Sequence, residues 1–380
     1  MSGISQFNFP TTIRFGPGVI EELPGYLEKN QLKHPLIVTD PVIAGLPFFK
    51  SILQSLDNKR FRVDVFSDIH KNPVKSDVYR GTEAWDASPH DVIIGIGGGA
   101  ALDVARAIVL RVYHREDLFK YDDLIGGDVY VTGDVPWFVT VPTTAGTGSE
   151  VGRSAIIADD ETHQKKILFS PKLIARIVFA DPALTMDIPP AITAATGMDA
   201  LTHNMEAYLA KDYHPICDGI ALEGMHLISR SIADAVLRPD IKSRSNMLMA
   251  SMMGAIAFQK GLGVVHSLAH PMSSLLDTHH GLANAINLPY GMRFNIKGFE
   301  EKFSRMAEAL GLKEKSGDAV VEYLFSLNEQ LGIPEKLRGA DVQQKHLEIL
   351  ADLAFADFAH PNNPKPVTRE DFLRLYTEAL

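Results

Sequence analysis

Between residues 35 and 179, six short apolar runs alternate with longer segments, several of them of helix length and polar/apolar pattern. The runs are Pro35-Leu36-Ile37-Val38-Thr39, Arg60–Phe66, Asp91-Val92-Ile93-Ile94-Gly95-Ile96, Trp137-Phe138-Val139-Thr140-Val141, Ala155-Ile156-Ile157 and Ile174–Phe179. Most are rich in β-branched residues, and runs of this kind separated by helical stretches predict a parallel sheet covered on both faces. After Asp181-Pro182 the texture changes. Residues 193–209, 217–237, 243–258, 302–310 and 317–331 read as helix-period segments, and β-branched runs nearly vanish. The expected architecture is an α/β N-terminal domain over residues 1–182 and an all-α C-terminal domain over residues 183–380. Thr368, beyond a Pro-rich turn, is placed to cap a last helix.

Composition removes several function classes. The chain of 380 residues is 46% apolar, enough for a sizeable core, so disorder is excluded as its main description. Its net charge of −10 is poorly suited to a phosphate backbone, so no nucleic-acid partner is expected. Cys217 is the single cysteine, which excludes an internal disulfide framework and any thiolate-only metal site. The opening Met1-Ser2-Gly3-Ile4-Ser5-Gln6 lacks the basic and apolar regions of a signal peptide. No uncharged apolar run reaches the ~18 residues of a membrane span. A soluble cytoplasmic protein with no membrane partner is expected.

Two loops have the character of nucleotide sites. Gly95-Ile96-Gly97-Gly98-Gly99-Ala100 follows the third predicted strand and opens a helical segment. Consecutive glycines admit a phosphate close to backbone N–H groups, and the helix N-terminus favours its charge. A tight strand-to-helix turn is the alternative use of the same glycines. The usual dinucleotide fingerprint follows the first strand, with an acidic residue about 20 positions later. Here the acidic candidate, Asp40, comes earlier, at the end of the first predicted strand, as a ribose ligand that disfavours NADP or as a turn cap. The second loop, Pro142-Thr143-Thr144-Ala145-Gly146-Thr147-Gly148-Ser149-Glu150, gathers hydroxyls and glycines after the fourth strand. It lacks the Gly-Lys-Ser/Thr ending of a triphosphatase loop.

The strongest signal lies further on. Asp199 and His203 are four apart in a helical segment, as are His266 and His270, so each pair shares a helix face. His279 and His280 follow, and seven of the fourteen histidines fall between His203 and His280. One carboxylate with three imidazoles suits a divalent first-row metal such as iron or zinc. His266-Ser267-Leu268-Ala269-His270 lacks the glutamate of a zinc-protease helix, which disfavours peptide hydrolysis.

Taken together, Gly97-Gly98-Gly99, Pro142–Val151, Gly197-Met198-Asp199-Ala200-Leu201-Thr202-His203 and His280-Gly281-Leu282-Ala283-Asn284-Ala285 resemble the iron-containing (group III) alcohol dehydrogenases. The likeness runs from Phe9-Pro10-Thr11-Thr12-Ile13-Arg14-Phe15-Gly16 to Thr368-Arg369-Glu370. It implies an α/β dinucleotide-binding domain followed by a helical domain, the architecture shared with dehydroquinate synthase, with metal and nicotinamide in the cleft between them. By the same resemblance Asp199, His203, His266 and His280 would be the metal ligands, His280 because the family histidine directly precedes glycine. His270 would be a further active-site histidine, a candidate proton relay. Gly97, Gly98 and Gly99 would hold the pyrophosphate of NAD, with Thr143, Thr144, Thr147 and Lys165 along the cofactor and Asp40 setting the preference for NAD. Ala100 and Arg106 stand where the family commonly has Ser and Lys; neither departure touches the metal set.

The reaction so implied is interconversion of a short primary alcohol and its aldehyde by hydride transfer, with Fe2+ or Zn2+ stabilising the charged oxygen. Arg153 and Ser154 lie at positions that vary with substrate. Arg153 points to a carboxylate-bearing substrate such as 4-hydroxybutyrate or succinate semialdehyde, unless it pairs with Glu150 or faces away. Rival readings are a glycerol dehydrogenase-like zinc polyol dehydrogenase, a dehydroquinate synthase-like lyase and a non-catalytic regulator. A homo-oligomer, a dimer in the simplest case, is expected.

Overall fold

A computed structural model describes residues 11–162 and 164–380; Met1–Gln6, Phe9 and Pro10, quoted above, lie outside the described residues. Two compact units form, one of residues 11–144 with Gly148–Met186, the other of Asp187–Leu380 with Ala145–Thr147.

The first unit is built on six parallel strands: β1 (Thr12–Phe15), β2 (Pro35–Val38), β3 (Asp64–Phe66), β4 (Val92–Gly97), β5 (Trp137–Pro142) and, after a separate hairpin of β6 (Ser154–Ala158) and β7 (Lys165–Phe169), β8 (Ile177–Ala180). Their order is β1-β8-β5-β4-β2-β3. Every residue of β2 and β4 is buried, as expected of strands covered on both faces. Alternate residues serve opposite layers. Ile37, Ile94, Ile96, Val139 and Phe179 pack with Leu23, Leu27, Phe49 and Leu56 on one face. Leu36, Val38, Ile93 and Phe138 pack with Val78, Trp85, Val104 and Ile108 on the other.

Two strand expectations need correction, and one strand was not foreseen. Residues 60–66 yield strand only over Asp64–Phe66, because Arg60 adopts φ 62° and Arg60 N–H bonds the Asp57 carbonyl to finish the preceding helix. The run at residues 155–157 does not join the parallel sheet. It pairs antiparallel with β7, since residues 159–164 are too few for a crossover helix and Asp159 Oδ1 instead accepts the N–H groups of Glu161 and Thr162 in a tight turn. Strand β1, which pairs with β8, carries too short and too polar a pattern to read as a strand.

The second unit is helical. Helix Pro190–Leu209 is buried around nearly its whole circumference, as helices Pro215–Ser229, Ile241–Ala257 and His280–Asn295 pack against it. The segment at residues 217–237 breaks into helices Pro215–Ser229 and Ile232–Leu237. Thr368 caps helix Arg369–Ala379 by accepting the Asp371 N–H at 3.1 Å. Among the described residues no single helix is long and apolar enough to cross a membrane.

Candidate functional site

The order in which the parallel strands are added reverses between neighbours β2 and β4, from which the sheet grows to opposite sides. The carboxyl ends of such strands form a crevice suited to ligands. Asp40 and Gly97–Gly98 lie there. Gly97 has φ 152°, and a Cβ on it would meet Ala101 Cβ at 2.6 Å and Asp40 Oδ2 at 3.5 Å. Only glycine fits. Asp40 does cap a helix: its Oδ1 accepts the N–H groups of Val42 and Ile43, both at 2.9 Å, while Oδ2 faces Gly97. Helix Gly99–Tyr113 begins without a side-chain cap, so its first amides remain available to an acceptor. Thr144 lies against Gly98, and Thr143 donates its N–H to the Gly97 carbonyl at 3.0 Å. Thr143 Oγ1 is buried with no hydrogen-bond partner among the described residues. Close-approach glycines, open helical amides and an orphaned hydroxyl fit a dinucleotide phosphate.

The two other expected cofactor residues lie on different elements. Thr147 belongs to the helical unit, and Lys165 opens β7 opposite Ala158. Arg106, which stands at the family's lysine position, is fully buried and structural: its guanidinium donates to Leu173 O, Ser149 Oγ and Ser154 O and pairs with Asp103. It ties helix Gly99–Tyr113 to the segment beyond the threonine loop. Glu150 is also buried, and burial pushes its carboxyl up to about 7. Arg153 does not pair with it. No carboxylate of the described residues makes an ion pair with Arg153, whose guanidinium lies 5.4 Å from the Phe169 ring centre. Ser154 opens β6 opposite Phe169.

In the helical unit, Asp199, His203, His266 and His280 each present one donor atom, all within 4.8 Å of one another. Helix Pro190–Leu209 supplies Asp199 and His203 from successive turns, helix Val264–Leu276 supplies His266, and His280 opens helix His280–Asn295. Gly281 permits the approach, since a Cβ there would lie 2.3 Å from the Ala195 carbonyl oxygen. Asp199 Oδ1 is 3.9 Å from His203 Nε2 and 3.5 Å from His280 Nε2.

Outer partners aim these rings. His203 Nδ1 faces the Gly146 carbonyl at 3.3 Å, which must accept, so its Nε2 is left with a lone pair facing inward. Burial pulls the His203 imidazole down to about 4, favouring the neutral form a metal requires. His266 Nδ1 meets Glu206 Oε2 at 2.6 Å, and Glu206 also accepts the N–H groups of Val265 and His266. Burial opposes charge on His266, but the Glu206 hydrogen bond and charge outweigh it and raise its pKa. Asn284 Nδ2 donates to Asp199 Oδ1 at 2.7 Å and faces the Nε2 atoms of His266 and His280 at 3.3 and 3.1 Å. Converging lone pairs satisfied by one electropositive group are what a cation site requires, so the donor set fits a divalent ion.

The site has one open side. Asp199, His203 and His266 are buried, whereas the His280 side chain is 29% exposed. His270, 16% exposed, stacks on the His280 ring with centroids 5.3 Å apart. Its Nδ1 meets Asp357 Oδ2 at 2.8 Å, and Ser267 Oγ donates to the other Asp357 oxygen at 2.7 Å. Glu206, Asn284 and Asp357 escaped the sequence reading. Glu206 is three residues beyond His203 and Asn284 lies inside a quoted motif, but Asp357 is 87 residues from His270 and had no local signal.

The "Iron-containing alcohol dehydrogenase" family model matches residues 10–182, and "Fe-containing alcohol dehydrogenase family, C-terminal" matches residues 193–380. The chain is 32% identical to 4-hydroxybutyrate dehydrogenase of Cupriavidus necator, over 97% of this chain and 98% of that protein. A crystal structure of 1,3-propanediol oxidoreductase superposes with a TM-score of 0.94 at 31% identity, covering 99% of this chain and all of that one. Sulfoacetaldehyde reductase from Bifidobacterium kashiwanohense in complex with NAD+ gives a TM-score of 0.89 at 25% identity, covering 100% and 99%. The chain is therefore an oxidoreductase belonging to the iron-containing alcohol dehydrogenase family.

Proposed function

We propose that this enzyme interconverts a short primary alcohol and its aldehyde with NAD, using a divalent ion held by Asp199, His203, His266 and His280. The convergence of those four donors carries the reading. Residues 10–182 and 193–380, matched by separate family models, support a functional division at residues 182/183 into nucleotide and metal domains. The open helical amides at Gly98–Gly99, the close approach allowed by Gly97 and the orphaned Thr143 hydroxyl support a pyrophosphate subsite. Asp40 Oδ2, which faces Gly97, supports selection of NAD over NADP, whose added phosphate it would repel.

When bound, the ion supplies Lewis acidity worth several kcal/mol at a negatively charged substrate oxygen, and the nicotinamide accepts or returns hydride. The protein's own part is orientation and proton management. Glu206 and the Gly146 carbonyl hold two imidazoles with Nε2 directed inward. Asp357 holds His270 by Nδ1, leaving Nε2 to exchange the alcohol proton. Membership of the iron-containing family supports Fe2+ first, with Zn2+, which accepts the same oxygen and nitrogen donors, as the alternative. Metal analysis of anaerobically purified protein, with NAD+ reduction over an alcohol panel, tests it; a fully active metal-free His203→Ala protein would contradict it.

We further propose a carboxylate-bearing substrate such as 4-hydroxybutyrate and its semialdehyde, with Arg153 and Ser154 as substrate residues. The half-buried guanidinium without an ion-pair partner among the described residues supports it, as does the similarity to a 4-hydroxybutyrate dehydrogenase. Arg153→Ala should raise KM for 4-hydroxybutyrate and leave butanol oxidation unchanged; equal effects on both would remove Arg153 from this role.

A further inference from the structure

A second group of metal-type donors lies far from the loops discussed above, at the opposite end of the parallel sheet. His34 immediately precedes β2, Asp64 opens β3, and His90 precedes β4 by two residues. The three strands are neighbours in the order β4-β2-β3, so their amino ends bring together side chains 30 residues apart for His34 and Asp64 and 26 for Asp64 and His90. Asp64 Oδ2 lies 2.9 Å from His34 Nε2 and 3.0 Å from His90 Nε2. The two imidazole centroids are 4.3 Å apart. Both histidines are buried, whereas the Asp64 side chain is 45% exposed and open to water.

Hydrogen-bond chemistry makes this arrangement unusual for neutral side chains. His90 Nδ1 lies 2.8 Å from the Trp85 carbonyl, which only accepts, so Nδ1 carries the proton. In neutral His90 the remaining nitrogen, Nε2, is then a lone pair directed at a carboxylate oxygen. A backbone carbonyl behind one ring nitrogen and an inward lone pair on the other is the pattern of metal-bound histidine. We propose that His34, Asp64 and His90 form a second divalent-metal site, taking an imidazole-preferring ion such as Zn2+ or Co2+, with water completing the coordination. Tetrahedral ligands at zinc–nitrogen distances stand about 3.3 Å apart, so each carboxylate–imidazole pair needs to open by only a few tenths of an ångström. The site would clip the three-residue strand β3 to the sheet and play no part in alcohol oxidation.

The test uses full-length protein stripped by chelator and titrated with Co2+ by equilibrium dialysis. Wild-type protein should retain one equivalent at the four-donor cluster and a second at the sheet edge. His90→Ala should lose one equivalent while retaining alcohol oxidation, and His203→Ala should lose the other. Asp64→Asn preserves shape at a partly exposed position; it should also lose the sheet-edge equivalent, and it covers failure of His90→Ala to fold. Saturation of wild-type protein at a single equivalent, or unchanged stoichiometry in both His90→Ala and Asp64→Asn, would overturn the proposal.

Discussion

The glycine turn after β4 and the four-donor cluster solve opposite construction problems. The turn is made from backbone: amides, a φ of 152° at Gly97 and the absence of Cβ atoms matter more than any side chain. The cluster is made from side chains carried by three helices, each aimed by a partner outside the set. Backbone sites tolerate exchange of polar side chains but not added volume. Side-chain sites respond in the reverse sense, and their failures spread through the groups that aim them.

The largest expected effect is at the cluster. Asp199→Ala or His203→Ala should abolish metal retention and lower turnover by roughly three orders of magnitude or more, measured by metal analysis alongside steady-state kinetics. Retained NAD binding in the same variants would sharpen the separation of the two sites.

Glu150, buried at the end of the threonine loop, is next. Its carboxyl sits at about 7 rather than 4.5, so the folded state binds a proton that the unfolded chain has released. Below pH 4.5 both states are protonated and nothing is lost. As pH rises through about 7, the folded state loses up to about 3 kcal/mol relative to the unfolded one. Glu150→Gln should remove that fall, so urea unfolding at pH 5 and pH 8 should show the variant stabilised mainly at the higher pH. An equal gain at both would show that the buried charge is not the cause.

Glu206→Gln should weaken metal affinity by about 10–100-fold, because the amide supports the His266 ring less strongly than the carboxylate. Competition with a chelator reads this directly. Gly97→Ala should leave the metal in place and weaken NAD by a comparable factor, from strain of about 1–3 kcal/mol and the clash with Ala101. A Gly97→Ala enzyme that loses metal instead would break the distinction between the two regions. The smallest effect belongs to Asp40→Gly. It should relax discrimination against NADP, read from the ratio of kcat/KM values, and cost only a few tenths of a kcal/mol at the helix it caps.

Much of this was legible before any coordinates. Runs with both faces apolar announced β2, β4 and β5, since a strand covered on both sides leaves no polar face to disguise it. Spacings of four placed Asp199 with His203 on one helix face. Short or edge elements were less readable. Strand β1 has four residues, and β6 resembled its parallel neighbours until its short connection made it a hairpin. Arg106 keeps the charge of the lysine common at its position, but nothing local showed that its guanidinium is spent on carbonyls that join helix Gly99–Tyr113 to neighbouring segments.

Sequence by itself determined the alternation of strand and helix, the shift to an all-helical second half and the types of donor available to an ion, because period, composition and side-chain chemistry are local properties. Tertiary structure alone decided which donors meet. Asp357 reaches His270, Glu206 reaches His266, and His34, Asp64 and His90 assemble only because parallel strands align their amino ends. Those contacts depend on the packing of elements remote in the chain, about which local spacing carries no information.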